Sequence, residues 1–406
     1  MIKHKQHIII LFLFIGYFQP ISASSFSVEE AANKIIIGDT DIHYSEVLRI
    51  IAKYGHQLSP DIKAELQARG FDFSRQIVSS YRPQNLDYYV DEGIFRFHYT
   101  LTGVDAVSPL DADNNGVPDY VDLIVTTFAN IGVIDFTDME FVRPPGDGWY
   151  TQIDDGGSDH YDVYIFNLET GYYGYVQAED YAQNNSPITR GDNEFSEDAE
   201  EERAMVTFMA LRNNYNDFSG VESEIIEVTS AHEFFHAIQL GYDSRDQLWF
   251  LEATATWIED EVFDDINDNY QYLKFWMEIP HVALDKHRSP YWYGSWIFFR
   301  YISEHLGGPE TIREIFNQSI IDDNSIDNFN LETIDKILKS KGSSFREILN
   351  KMSIANYLLT SNSNLTEFNY EEAEQYREYG IEPHIHQSLG INSTNTLIEY
   401  LSLIHI

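Results

Sequence analysis

The chain has no cysteine among its 406 residues, which excludes disulfide bonds and any metal site with cysteine ligands. Basic residues are also few, because 26 lysines and arginines stand against 66 aspartates and glutamates, giving a net charge of −40. Such a field repels nucleic acids and anionic membranes and attracts divalent cations. We therefore expect no nucleic-acid partner, and a polypeptide partner should approach more readily if it is basic or neutral.

Long apolar runs are missing as well, since no segment beyond the N-terminus approaches the ~20 residues that cross a bilayer. At the N-terminus, Lys3 and Lys5 precede the short apolar run 8–18, and residues 21–23 (Ile-Ser-Ala) offer a cleavage point. The pattern predicts a secretory signal peptide over residues 1–23, with a membrane anchor as the alternative. The mature protein is then expected outside the cytoplasm, whether secreted, periplasmic or at the cell surface, without a membrane span.

Two histidines four residues apart, His232 and His236, carry the clearest chemical signal. On a helix they lie on the same face, so both can bind one metal ion. Glu233 is offset from this pair and can take a proton from a water whose pKa the metal lowers towards ~7. Catalytic zinc usually has three protein ligands, so a third is expected close by. The alternative is two core histidines satisfied by hydrogen bonds.

The residues that follow extend this motif to His-Glu-x-x-His…Trp-x-x-Glu-Ala-x-Ala-x-Trp-x-Glu, ending at Glu259. This pattern resembles the gluzincin metallopeptidases, the zincins whose third zinc ligand is a glutamate. The resemblance implies that Glu252 is the third zinc ligand and that Glu259 is a carboxylate that orients a ligating histidine. Glu259 is also the alternative third ligand.

A downstream turn, Pro-Tyr-x-x-Gly beginning at Pro290, leads into an apolar helix. In the aminopeptidase branch of the gluzincins a similar turn carries a tyrosine that stabilises the oxyanion. The resemblance implies this role for Tyr291, with Tyr293 and His287 as alternatives; an aromatic turn that only packs under the helix is equally expected. The Gly-x-Met-x-Asn segment with which those exopeptidases hold a free amine is absent here, which favours an endopeptidase.

A second motif spans residues 111–122, Asp-Ala-Asp-Asn-Asn-Gly-Val-Pro-Asp-Tyr-Val-Asp. Oxygen ligands at positions 1, 3, 5, 9 and 12, a carbonyl at 7 and a glycine at 6 are what calcium requires in an EF-hand-like loop. The residues at these ligand positions are Asp111, Asp113, Asn115, Val117, Asp119 and Asp122. The flanks are not paired EF-hand helices, so we predict a single structural calcium loop; an acidic turn without an ion is the alternative.

Another acidic cluster follows the zinc motif and has no fixed loop spacing. It is either a further calcium site or a solvated helix end. Its members are Asp260, Glu261, Asp264, Asp265, Asn267 and Asp268.

The predicted fold class is α+β, a zincin-like two-lobed metallopeptidase with the zinc site between a β-rich lobe and a mostly helical lobe. The order of signal, calcium loop, tyrosine-rich strands and zinc helices also resembles a family of secreted bacterial metallopeptidases, from about Phe95 to Gly308. The predicted segments are 1–23 (signal), 24–85 (helical propeptide or N-terminal support), 86–220 (β-rich lobe with the calcium loop), 221–360 (helical catalytic lobe) and 361–406 (C-terminal tail, ending on an apolar strand).

Periodicity predicts the individual elements. Helices are predicted at 28–36, 44–54, 60–69, 228–240 and 248–262, and strands at 88–102, 162–167, 171–177 and 205–211. The second and third of these strands read as a pair, and 205–211 reads as an edge strand along which an extended substrate would lie.

The function that this sequence favours is that of a secreted endopeptidase with a catalytic Zn²⁺ and a structural Ca²⁺. The substrate is a polypeptide, Glu233 is the general base, and the specificity and oligomeric state are left open. The alternatives are an aminopeptidase or another zinc amidohydrolase and, from a different class, a non-catalytic calcium-binding surface protein on the same scaffold. Retention of Glu233 argues against the last, because a protein that only binds has no use for a base.

Overall fold

The computed structural model describes residues 27–39, 44–149, 154–168, 171–185, 188–197, 200–280, 282–285, 290–322 and 331–381. The predicted signal peptide, His287 and the predicted terminal strand lie outside these residues. Within them the chain is a mixed structure of helices and one main sheet, in agreement with the predicted α+β class.

The described helices are α1 (Val28–Ile37), α2 (Tyr44–Tyr54), α3 (Pro60–Ala68), α4 (Asp119–Val133), α5 (Glu222–Tyr242), α6 (Leu248–Val262), α7 (Tyr270–Met277), α8 (Tyr291–Gly294), α9 (Trp296–His305), α10 (Pro309–Asp322), α11 (Leu331–Ser340), α12 (Phe345–Leu358) and α13 (Ala373–Glu378). The strands are β1 (Phe71–Asp72), β2 (Ser79–Ser80), β3 (Tyr88–Glu92), β4 (Phe95–Tyr99), β5 (Tyr161–Phe166), β6 (Gly174–Tyr181), β7 (Gln183–Asn185), β8 (Ile188–Arg190) and β9 (Met205–Arg212).

The main sheet has five strands in the order β3-β4-β5-β9-β6. The β4–β5 and β5–β9 pairs are parallel, whereas β3–β4 and β6–β9 are antiparallel. Two predictions about these strands are wrong. The predicted strand 88–102 is a hairpin that turns at Gly93, whose φ is 59°, and residues 162–167 and 171–177 do not pair, because β9 lies between them.

The predicted edge strand 205–211 is also wrong, since β9 is flanked by β5 and β6. All eight of its residues are buried, which is typical of an interior strand with helices on both faces. The described edge strands of this sheet are β3 and β6.

The sheet separates two apolar clusters, because side chains alternate between its faces along each strand. On one face Val163 and Met209 pack with α4 and α5 in the larger cluster. On the other face Phe208 and Ala210 pack with the N-terminal helices, including Leu48 of α2. Helices α1, α2 and α3 therefore form a layer against the sheet.

Helix α4, with the π-helical turn that continues it, is the described stretch that is long and apolar enough by composition to cross a membrane, Asp119–Asp138. Its buried side is part of the core. Phe128 packs edge-on against Phe95, Phe97 and Phe234, with ring centroids 5.0, 5.3 and 5.8 Å away.

A buried arginine ties the end of the N-terminal segment to the sheet. Arg82 is 4% exposed, and its guanidinium donates to Asp147, Asp162 and Glu179 at 2.5 to 2.9 Å. Three carboxylates around one cation leave an excess of negative charge. Burial, with this excess, raises the pKa of Asp147 to about 8 although Arg82 opposes it.

Candidate metal centre

Helix α5 carries the two histidines and is apolar around most of its circumference. Such a helix is buried on all sides, and every residue from Val228 to Tyr242 is buried. The four-residue spacing puts His232 directly beside His236, with ring centroids 4.8 Å apart and planes at 89°. Both imidazoles therefore face the same point from one helix.

Helix α6 supplies the carboxylate that completes the group. Its bounds are the predicted ones, and the short connection 243–247 brings it back against α5. Glu252 Oε2 lies 3.5 Å from His232 Nε2 and 3.6 Å from His236 Nε2. Ligand atoms about 2.0–2.2 Å from one tetrahedral zinc lie roughly 3.3–3.6 Å apart. The two distances from Glu252 therefore fit a single metal ion, and the ligand atoms of all three residues lie within 4.8 Å of one another.

The nitrogens on the other side of the two rings are held by different partners. His232 Nδ1 lies 2.6 Å from Glu259 Oε1, so the predicted contact of Glu259 with a histidine is present. His236 Nδ1 lies 2.8 Å from Gln239 Oε1. These contacts orient each Nε2 towards Glu252, and the buried Nε2 of His236 has no hydrogen-bond partner among the described residues. A metal ion is a suitable partner for that nitrogen.

Gln239 also links the two helices. Its amide nitrogen donates to the carbonyl oxygen of Leu251 and to the hydroxyl of Thr254, both at 2.9 Å. The same side chain thus orients His236 on α5 and fixes the register of α6, on which Glu252 lies. No role for Gln239 was predicted, although its position three residues after His236 is the spacing at which helical side chains meet.

Burial and charge shift the pKa values of His232 and Glu259 in opposite directions. Burial alone would lower the pKa of His232, but the carboxylates of Glu252 and Glu259 raise it well above its usual value. Burial raises the pKa of Glu259 to about 7, while His232 opposes this rise. The negative charge around His232 is the kind of environment that a divalent cation compensates.

The predicted general base is close to the group but already has a partner. Glu233 is 6% exposed, and its Oε2 accepts a hydrogen bond of 2.7 Å from the hydroxyl of Ser45 on α2. The two residues are 188 positions apart, so no local pattern could have predicted this contact.

The two candidate tyrosines on α8 point in nearly opposite directions. Residues two apart on a helix are rotated by about 200° about its axis. Tyr291, the predicted oxyanion donor, gives its hydroxyl to the carbonyl of Val282 at 2.9 Å and stacks on Trp276. Tyr293 instead lies beside the metal group, with its ring centroid 6.3 Å from that of His232. Tyr293, which was an alternative, thus lies beside the metal group, whereas the hydroxyl of Tyr291 is bonded to Val282. Which tyrosine stabilises an oxyanion stays a prediction.

The environment of Tyr293 suits a hydrogen-bond donor. Burial, and then the charge of Glu252, raise its pKa well above the usual value, so the hydroxyl keeps its proton. Gly294 lets α8 approach α7 closely, because a Cβ there would lie 2.5 Å from the carbonyl oxygen of Tyr272. This close approach positions Tyr293.

The acidic loop 111–122 forms a second group that could hold a metal ion. Carboxylate oxygens of Asp111, Asp113 and Asp119 lie within 4.8 Å of one another. Gly116 has the left-handed φ of 92° that the predicted sharp turn requires. Asn115 donates its side-chain amide to Asp122 at 2.9 Å, so these two predicted ligands contact each other.

A hydrogen bond near the end of the loop connects it to the main sheet. The backbone N–H of Asp119 closes the loop by donating to the carbonyl of Leu110 at 2.7 Å, and α4 begins at Asp119. One residue later, the hydroxyl of Tyr120 donates to the carbonyl of Arg212, at the end of β9. Residues 107–110 before the loop form no helix, in agreement with a single loop rather than an EF-hand pair.

Two members of the acidic cluster, Asp260 and Glu261, lie against an arginine. Arg300 is 3.2 Å from Asp260 and 3.4 Å from Glu261, and it also lies 2.8 Å from Glu304 and 3.7 Å from Glu372. Asp260 is fully buried, so this residue is not part of a solvated helix end. A calcium site in the cluster stays a prediction.

No protein-family model matches this chain, and no curated protein matches it.

Proposed function

We propose that this chain is a zinc-dependent endopeptidase. One observation carries the proposal: Glu252 Oε2 lies at the spacing of tetrahedral zinc ligands from both His232 Nε2 and His236 Nε2, and both remote imidazole nitrogens are already held. Two nitrogens and one carboxylate oxygen are a ligand set typical of catalytic zinc with an open fourth position. A zinc ion bound there supplies Lewis-acid activation of water and of a carbonyl group.

The residues around the ligand set have the roles that peptide hydrolysis needs. Glu233, next to His232 on α5, takes the proton of the attacking water and passes it to the leaving amine. Tyr293, kept protonated by its burial, donates to the oxygen on which negative charge develops. Glu259 and Gln239 keep the histidines in the tautomer that presents Nε2.

The substrate-pairing strand in this proposal is β6 rather than the interior β9. Its residues Val176 and Ala178 line the same cavity as His236 and Glu252, and β6 is an edge strand. An extended peptide can add to such an edge by main-chain hydrogen bonds. The sheet with α4 then forms one lobe of the proposed two-lobed zincin arrangement, and the helices from α5 onwards form the other.

The proposal also includes a structural Ca²⁺ in the loop 111–122 and an extracellular location. Asp111, Asp113 and Asp119 are exposed or partly exposed carboxylates of the kind that Ca²⁺ binds. Through Tyr120 and Arg212 a bound ion stabilises the end of β9, from which the chain runs on to α5. A calcium-stabilised protein without cysteine is suited to the extracellular space that its N-terminal sequence predicts.

The test is cleavage of a mixed peptide library by the zinc-loaded protein in calcium-containing buffer, mapped by mass spectrometry. Glu233→Gln is the matched control, because it keeps the shape of the side chain and removes the base. Internal cuts that vanish in the control support the proposal. Cuts confined to the first residue would indicate an aminopeptidase. Because Ser45 contacts Glu233, the library is also given to Ser45→Leu, and no cuts by either protein with one zinc bound would refute catalysis on peptides.

A further inference from the structure

The candidate metal centre is closed on one side by helix α2. The cavity beside His236 and Glu252 is lined across from them by Ser45, Glu46 and Arg49 of α2, and its volume is ≈ 20 Å³. Such a volume holds about one water molecule. On this side of the metal group there is therefore no room for a peptide while α2 is in this place.

The hydroxyl of Ser45 is hydrogen-bonded to two groups that a bound substrate would need. Its hydroxyl donates to Glu233 Oε2 at 2.7 Å and accepts from the backbone N–H of Val176 at 2.9 Å. The first contact engages the proposed general base. The second engages an N–H on the outer edge of β6, where the carbonyl of an extended peptide would bind.

Arg49 of α2 also lies in the cavity of the metal group. It shares this cavity with Glu252 and with Glu46 of its own helix, and it donates to the carbonyl of Asp246 at 3.3 Å. Its guanidinium would compete with a metal ion for the carboxylate of Glu252.

The opposite side of α2 is apolar and keeps the helix in place. Val47, Leu48 and Ile51 are buried in the smaller apolar cluster, which they share with Phe208 and Ala210 of the sheet. One face of α2 therefore docks on the sheet while the other closes the cavity.

We propose that α2 is an inhibitory helix, so that the site opens to substrate only when α2 is displaced; the inference rests on the proposed peptidase function. Displacement frees Glu233 and the N–H of Val176 in the same step, because Ser45 holds both.

Arg82 sets a limit to the segment that can move. It compensates three buried carboxylates, and removing one partner of such a group leaves uncompensated buried charge. The inhibitory segment therefore ends before Arg82, rather than at residue 85 as the sequence suggested for a propeptide.

The experiment compares the zinc-loaded full chain with Ser45→Leu and Ser45→Ala. Leucine overfills the small cavity, forms no hydrogen bond and cannot ligate zinc. Ser80→Leu is the matched control, because Ser80 belongs to the same N-terminal segment and also contacts β6, through Gln177 at 3.2 Å, but not the metal group. The first readout is the affinity for acetohydroxamic acid, a small zinc chelator, measured by calorimetry. The second is the rate of peptide cleavage.

We expect Ser45→Leu to bind acetohydroxamic acid at least about tenfold more tightly than wild type, since a larger fraction of molecules is open. Ser45→Ala should gain about threefold from the lost hydrogen bond, and it decides the matter if Ser45→Leu does not fold. Ser80→Leu should match wild type. Equal affinity in the wild type and both Ser45 variants would overturn the inhibitory role, even if all of them cleave peptides. Tighter binding without cleavage in any variant would keep the inhibitory role and refute the peptidase function.

Discussion

The carboxylate of Glu259 should strengthen zinc binding by acting through His232. It lies 2.6 Å from Nδ1 of the ring and is 5% exposed, so little solvent screens the pair. Carboxylates in this position typically change metal affinity 10- to 100-fold. Glu259→Gln keeps a neutral acceptor for the ring N–H and loses only the charge. We therefore expect the lower end of that range, about tenfold weaker binding, or ~1.4 kcal/mol.

The assay is equilibrium competition for zinc between the protein and a chromogenic chelator at fixed pH. Glu261→Gln is the matched control, because it lies two positions further along α6 and contacts Trp257 and Ser303 rather than a histidine. The control should bind zinc as the wild type does. If Glu259→Gln also retained wild-type affinity, the reasoning that the carboxylate tunes His232 would be refuted.

Three further predictions concern the rest of the molecule. Tyr293→Phe should lower kcat at least about tenfold with zinc content unchanged, as loss of an oxyanion donor does, whereas Tyr291→Phe should change kcat little; steady-state kinetics with metal analysis decide, and the reverse ranking would return the role to Tyr291. Calcium chelation should lower the melting temperature of the wild type but not of Asp111→Asn, because only the former has the full ligand set; equal losses in scanning calorimetry would place the stabilising calcium elsewhere. Burial raises the pKa of Asp147 in the folded protein to about 8, far above the ~3.9 usual for aspartate. The folded state therefore binds this proton more tightly than the unfolded state, and the stability that Asp147 contributes falls as pH rises from about 4 to about 8. The melting temperature should therefore fall over this range less in Asp147→Asn than in wild type or in Asp87→Asn, whose carboxylate is exposed; parallel curves for all three would contradict this.

Local sequence was sufficient for several helices and for the residue spacing in the two candidate metal groups, although it missed α4. The bounds of α2 and α6 match the predicted ones, because apolar spacing along a helix is set by its own period of 3.6 residues. The pairing of His232 with His236 follows from the same period. The left-handed turn at Gly116 follows from the freedom of glycine at positive φ.

Only the tertiary structure decided which elements and side chains meet across the chain. It placed β9 between β5 and β6, and it put the ring of Tyr293 beside His232 while the hydroxyl of Tyr291 bonds to Val282. It also formed the hydrogen bond between Ser45 and Glu233 and the ion pairs of Arg82 with three carboxylates. These contacts join residues far apart in sequence, so no short pattern encodes them; they arise because the apolar faces of the helices are buried against a sheet whose strand order depends on the whole chain.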